Sequence, residues 1–294
     1  MIKEEIKTKL KSYFKGSFYI KEVIDYITKI TDIYEYTNKN ISVIVYYNKN
    51  NDKIDFEFIK RVINRGITII NNKQIKITLL LTSAKKILEY NKVLTPFNVN
   101  SGFTFINNNE IFIFRKEEFP KVIIHELLHH DINIHNDDFK DSNKIKLYKH
   151  FKINPKCKLI LNECIIEFWA TFTHLSFVSK EYNINFEKLI AIEINYSLFK
   201  CYQLLEIQKK QLNNLWYDEC NIYSYIVFKT ILLYYHSKLL NVYSYPYDDT
   251  KITDFLIENS KLKINKKNPS FQLSPTTVIQ RPINSLCFML FSDL

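Results

Sequence analysis

The sequence predicts an α+β fold: an N-terminal mixed part built on a twisted sheet, then a mostly helical C-terminal part. Three observations carry this. Short β-branched runs, "ISVIVYY" (41–47), "IKITLLLT" (75–82) and "EIFIFR" (110–115), alternate with segments of helical spacing. Strand signals fade after about residue 136, and long helical patterns take over. The helical stretch "FPKVIIHELLHH" (119–130) stands at the junction. A chain of 294 residues holds one large or two moderate domains, and we divide it at 1–135 and 136–294.

In chain order, residues 2–14 and 20–33 have helical spacing, 41–47 is a strand, and 56–65 is a helix. "GITII" (66–70) and residues 75–82 read as strands. "LTPFNVNSGFTF" (94–105), with Pro96 and Gly102, is a loop that calls for special backbone angles. "FTFI" and "EIFIFR" pair as a hairpin across "NNN". The next helix runs through 117–131. Pro120 suits its first turn, where the missing N–H costs nothing, and Glu117 and Glu118 suit its positive end. A long helix is expected over 154–179, with Pro155 in its first turn, then helices over about 184–213 and 220–240. The Pro-containing tail from about 246 receives no assigned element.

A hydrophobic fraction of 46% supports a real core. The net charge of +10 is mostly lysine, dispersed along the chain, and arginine occurs only at Arg61, Arg65, Arg115 and Arg281. Without an arginine-rich stripe, nucleic acid is not expected as the main partner, although a basic surface favours acidic ones. Abundant Lys, Asn, Ile, Tyr and Phe beside only three glycines suggest an AT-rich genome. The five cysteines are odd in number and form no CxxC, which points to reduced thiols in a cytosolic-type compartment. The N-terminus is charged and amphipathic, unlike a secretory signal. "IYSYIVFKTILLYY" (222–235) is too short for a membrane span and carries Lys229. We expect an intracellular protein without a membrane span.

His125-Glu126-Leu127-Leu128-His129 is an HExxH pattern. On a helix, residues four apart share a face, so His125 and His129 aim their imidazoles at one point, as a tetrahedral zinc requires. Glu126 is turned about 100° away. It suits a proton acceptor for a water that zinc acidifies to a pKa of about 7. At this composition a chance HExxH arises in about one chain in a hundred, so the helical context matters to the reading.

Zinc needs a third protein ligand, and there are two candidates. His135 occupies the third-histidine position of the metzincin pattern HExxHxxGxxH, but Ile132 replaces the glycine. A β-branched residue is an outlier in the positive-φ turn that glycine serves there. The methionine expected beneath such a site is also missing, since Met289 is far downstream. His130 and His135 then read as ordinary polar residues after a helix end. The second candidate lies in "LILNECIIEFWATFTHL" (159–175), where Glu163, Glu167, Thr171 and His174 form one narrow polar stripe. The stripe is either a thin solvated face or part of a helix buried nearly all round. Apolar residues flank it on both sides, which favours burial, and buried carboxylates need a partner or a metal.

HExxH followed on a later helix by Asn-Glu resembles the gluzincin pattern of thermolysin-like peptidases and the aminopeptidase N group. "LNECIIEF" resembles their segment in which the Glu after Asn is the third zinc ligand. The resemblance therefore implies a zincin-like fold, with His125, His129 and Glu163 as ligands of one zinc per chain. It implies Glu167 in the supporting role of holding a ligand histidine, here Glu in place of Asp. "LTPFNVNSGFTF", "FRKEEFPKVIIHELLHH" and "NECIIEFWA" further resemble segments of metallopeptidases encoded by large DNA viruses, over roughly residues 90–240. That would place the protein in host cytoplasm or virion.

The sequence departs from the gluzincins in two ways. The 34 positions from His129 to Glu163 exceed the usual gap, so residues 136–153 should loop out. The downstream transition-state donor is not plain: "YDECNIYSYIVFK" offers Glu219, Tyr223 and Tyr225. The expected function is zinc-dependent peptide hydrolysis with Glu126 as general base, on a peptide or protein substrate paired to "EIFIFR" or "FTFI" as the sheet edge. The rival reading is an inactive zinc-stabilised binding protein on the same scaffold. Glu126 argues against it, because a structural zinc needs no base.

Overall fold

The computed structural model describes residues 2–16, 20–70, 73–130, 138–157, 159–242, 247–274 and 276–294. These form eleven α-helices, a five-stranded mixed sheet and a two-stranded sheet. No described helix is long and apolar enough to cross a membrane. The chain divides into two compact units. One comprises Met1–Lys86, Asn100–Asp131 and Ser292–Leu294; the other comprises Ile87–Val99 and Ile132–Phe291. Residues 87–99 fall in the second unit and 292–294 in the first, which no local pattern marks.

The first unit contains α1 (Glu4–Tyr13), α2 (Lys21–Lys29), β1 (Asp32–Asn38), β2 (Ile41–Tyr47), α3 (Phe56–Ile67), β3 (Ile75–Thr82), β4 (Gly102–Phe105), β5 (Glu110–Arg115) and α5 (Phe119–Leu128). Its sheet order is β1-β2-β3-β5-β4. β2, β3 and β5 run parallel, while β1 and β4 are antiparallel edge strands. The strand period of two separates the faces. Ile77, Leu79, Ile111 and Ile113 meet α3 and α5 on one side, and Leu80 and Phe114 meet α1 and α2 on the other. Strands buried on both faces read as near-continuous apolar runs, which is why β2, β3 and β5 were legible.

Two expectations fail here. The helix over 20–33 stops at Lys29, and Asp32–Asn38 is a strand paired along its length with β2. Two of its three outward positions, Glu35 and Thr37, are polar, which hid the signal. "GITII" is not a strand: α3 continues to Ile67, and the Thr68 N–H closes it onto the Arg65 carbonyl at 3.3 Å. Gly66 permits this, because a Cβ there would lie 2.5 Å from the Leu127 side chain and 3.3 Å from that of Ile41.

The second unit contains α4 (Pro96–Val99), α6 (Asp141–Phe151), α7 (Glu163–Tyr182), α8 (Phe186–Gln208), α9 (Lys229–Tyr234), α10 (His236–Val242), α11 (Asp249–Glu258), β6 (Phe271–Ser274) and β7 (Thr277–Ile279). The expected loop over 136–153 instead carries α6. Its polar sequence is held by tertiary bonds: the Lys140 N–H and the Asn143 amide both donate to Asp249, at 2.8 and 3.1 Å. The long helix begins at Glu163, not at 154, so Pro155 lies outside it. The chain before Glu163 directs its amides elsewhere. Asn154 N–H donates to the Trp216 carbonyl, Ile160 N–H to Asn221 and Leu161 N–H to Asp138, at 2.9, 2.8 and 2.7 Å. The 220–240 helix is broken into a π-helical turn, Ser224–Phe228, followed by α9 and α10.

Candidate metal centre

Helix α5 presents Phe119, Val122, Ile123 and Leu127 to the core of the first unit. This stripe at helical spacing fixes the helix's rotation. It leaves His125, Glu126 and His129 on the remaining faces. The rings of His125 and His129 have centroids 5.2 Å apart at 70°, and one nitrogen of each lies within 4.8 Å of the other. His125 and Glu126 are buried and His129 is half-buried. A buried cation anchors the helix start: Glu118, the N-cap residue, adopts a left-handed φ of 64° and pairs with Lys86 at 2.6 Å, both fully shielded.

Gly102 opens β4, and its φ is not positive. The expectation that it serves special backbone angles is therefore corrected. Its role is space. A Cβ there would meet the Phe112 carbonyl at 2.9 Å, Val122 at 3.1 Å and Glu126 Oε1 at 3.2 Å. The missing side chain thus leaves room for the Glu126 carboxylate against the strand backbone. A lone glycine at a strand start was the only signal available.

His130 is not a loose residue after a helix end. It is buried, its Nε2 bonds the Thr104 hydroxyl on β4, and its carbonyl accepts from Lys73 at 2.7 Å. Burial, then the charges of Lys73 and His129, pushes its imidazole down to about 4. His135 and Ile132 lie outside the described residues.

In the second unit, Glu163 opens α7, and Glu167, Thr171 and His174 follow on its stripe. Glu167, Thr171 and His174 are completely buried. The solvated-face alternative is therefore excluded, and the reading of a helix buried nearly all round stands. His174 Nε2 reaches the Phe291 carbonyl at 3.1 Å.

The candidate transition-state donors separate. Tyr223 is a core residue, packed on Trp216, Phe228 and Phe151, with its hydroxyl 3.3 Å from Gln208 Oε1. Burial raises its phenol far above the usual range. A phenol in that setting packs in the core, so Tyr223 is not the expected donor. Tyr225 is half-buried, inside the π-helical turn, and stacks on Phe288 at 4.9 Å. Glu219 is exposed, and its N–H bonds the Leu94 carbonyl at 2.8 Å. Burial pushes the Cys157 and Cys201 thiols up to about 12, so neither supplies a thiolate nucleophile.

Comparison with family models, with curated proteins and with solved structures finds no match.

Proposed function

We propose that the chain is a zinc-dependent peptidase of the gluzincin type, with one zinc held by His125, His129 and Glu163. The carrying observation is the pair of imidazoles on α5: the His125 and His129 rings stand 5.2 Å apart at 70°, with a nitrogen of each within 4.8 Å of the other, as two ligands of one ion require. Two imidazoles and a carboxylate suit zinc better than magnesium or calcium, which take oxygen donors. Bound zinc supplies Lewis-acid polarisation of water and of the scissile carbonyl.

The residues do the rest. Glu126, in the gap left by Gly102, takes the proton from the attacking water at its carboxylate and returns it to the leaving amine nitrogen. Glu167 accepts the outer N–H of a ligand histidine and so sets its tautomer. Tyr225, the donor candidate that remains, hydrogen-bonds the developing oxyanion. The substrate strand pairs with β4. That strand is the sheet edge, whereas β5 is interior between β3 and β4 and cannot accept a new neighbour. Five buried free cysteines support a reducing, intracellular setting.

The test is metal analysis with hydrolysis of a peptide library by the parent, Glu126→Gln and Glu163→Ala. One zinc per chain in the parent, its loss in Glu163→Ala and inactive zinc-bound Glu126→Gln support the proposal. A parent that binds zinc without hydrolysing any peptide supports the inactive binding protein instead. Normal zinc in Glu163→Ala with loss in His135→Ala supports the metzincin-like ligand set.

A further inference from the structure

The first unit has a cavity of about 270 Å³. It lies at the carboxyl ends of the parallel strands. Leu81 near the end of β3 and Lys116 just after β5 line it, together with Phe58 near the start of α3 and Phe119 at the start of α5. Sheets with parallel strands bind ligands in the crevice outside those ends. None of its lining residues belongs to the proposed zinc site.

The floor is apolar: Ile54, Phe58, Ile59, Leu81 and Phe119. The Phe58 and Phe119 rings stand edge to face with centroids 5.6 Å apart. The rim is charged, and its charges are unequally satisfied. Asp55 caps α3 by accepting from the Phe58 N–H at 2.9 Å. Glu117 accepts from the Lys86 N–H and faces Lys85 at 3.5 Å. Asp293 accepts from the Glu118 N–H at the start of α5. Lys53 and Lys116 also line the rim, are exposed, and have no acidic partner among the described residues. The rim therefore holds three engaged carboxylates and two uncommitted ammonium groups.

We propose that this cavity binds a compact organic carboxylate, with its apolar body on the Phe58–Phe119 floor and its charge between Lys53 and Lys116. A phosphate ester fits less well. The amides of Phe58 and Glu118, which a phosphate would need at the two helix starts, already serve Asp55 and Asp293. The volume falls just below the ~300–1,000 Å³ of drug-sized sites, which sets the ligand at one ring or a short chain. The inference stands independently of zinc and of peptidase activity.

The experiment is calorimetric titration of the full chain with 3-phenylpropionate, octanoate and the neutral 3-phenylpropanamide, repeated on Lys53→Gln/Lys116→Gln. Both lysines are exposed, so the double variant should keep the parent's circular dichroism. We expect one saturable site for at least one acid, the ring or the chain being identified by which binds tighter. Binding should weaken tenfold or more for the amide and for the double variant. Absence of saturable binding by either acid overturns the proposal. So does equal binding of the amide, or an unchanged affinity in the double variant. A peptide with a C-terminal phenylalanine that binds more tightly than both acids overturns the assignment to a small molecule.

Discussion

Glu126 and Gly102 are coupled through a missing methyl group. A Cβ on Gly102 would stand 2.9 Å from a backbone carbonyl that cannot swing away and 3.2 Å from the Glu126 carboxylate. Gly102→Ala should therefore cost about 1–3 kcal/mol of stability, the usual range for overpacking, and should also lower turnover by displacing the base. Thermal melts and hydrolysis rates of the same preparation check both parts. Glu126→Gln keeps the volume and removes the proposed base. It should retain zinc and the fold while hydrolysis drops by about two orders of magnitude or more. Equal turnover of this variant and the parent would remove the base assignment. Glu163→Ala should lose zinc, whereas Glu167→Gln should weaken zinc by about 10–100-fold, as supporting residues do. The reverse order, measured by competition with a chelator, would exchange the two roles.

At the scale of elements, α5 and α7 are both buried helices that carry polar residues, and their cores explain how. In α5, an apolar stripe against the sheet settles which side the histidines face. In α7, Glu167, Thr171 and His174 are enclosed. Among the described residues the Thr171 hydroxyl has no hydrogen-bond partner. An unsatisfied buried hydroxyl costs about 1–3 kcal/mol. Thr171→Val, nearly the same shape, should therefore raise stability by about 1 kcal/mol. A lowered denaturation midpoint would mean that the hydroxyl is engaged. The late start of α7 has a cause that helical periodicity does not record: Asn154, Ile160 and Leu161 spend their amides on Trp216, Asn221 and Asp138.

At the scale of the molecule, the second unit's stability should carry a pH signature. Glu193 on α8 is fully buried. Burial raises its carboxyl from 4.5 to about 7, against the opposing pull of Lys229, the Leu290 and Phe291 amides and Arg281. A carboxyl raised in the folded state is protonated there before it is in the unfolded chain. Its contribution is therefore fully present below pH 4.5 and is lost as pH rises through about 7. The Asp218 carboxyl, raised by burial to about 6, acts in the same direction. Glu193→Gln should flatten the fall in melting temperature between pH 4.5 and 7 relative to the parent. An identical slope would remove Glu193 as its source.

Local chemistry was legible in the sequence by itself. The HExxH spacing, the doubly buried strands β2, β3 and β5, the hairpin and the buried polar stripe of α7 each follow from a period of two or of 3.6. Those periods are set by covalent geometry and by one-sided or two-sided burial. Long-range bonding decided the rest. β1 is a strand because β2 offers it a partner, and α6 is a helix because Asp249 holds its start. Asn154, Ile160 and Leu161 stay outside α7 because Trp216, Asn221 and Asp138 take their amides. Gly102 matters for the volume it leaves, and Tyr223 is removed from the chemistry by the rings around it. In each case the deciding partner is far away in sequence, where no local pattern can record it.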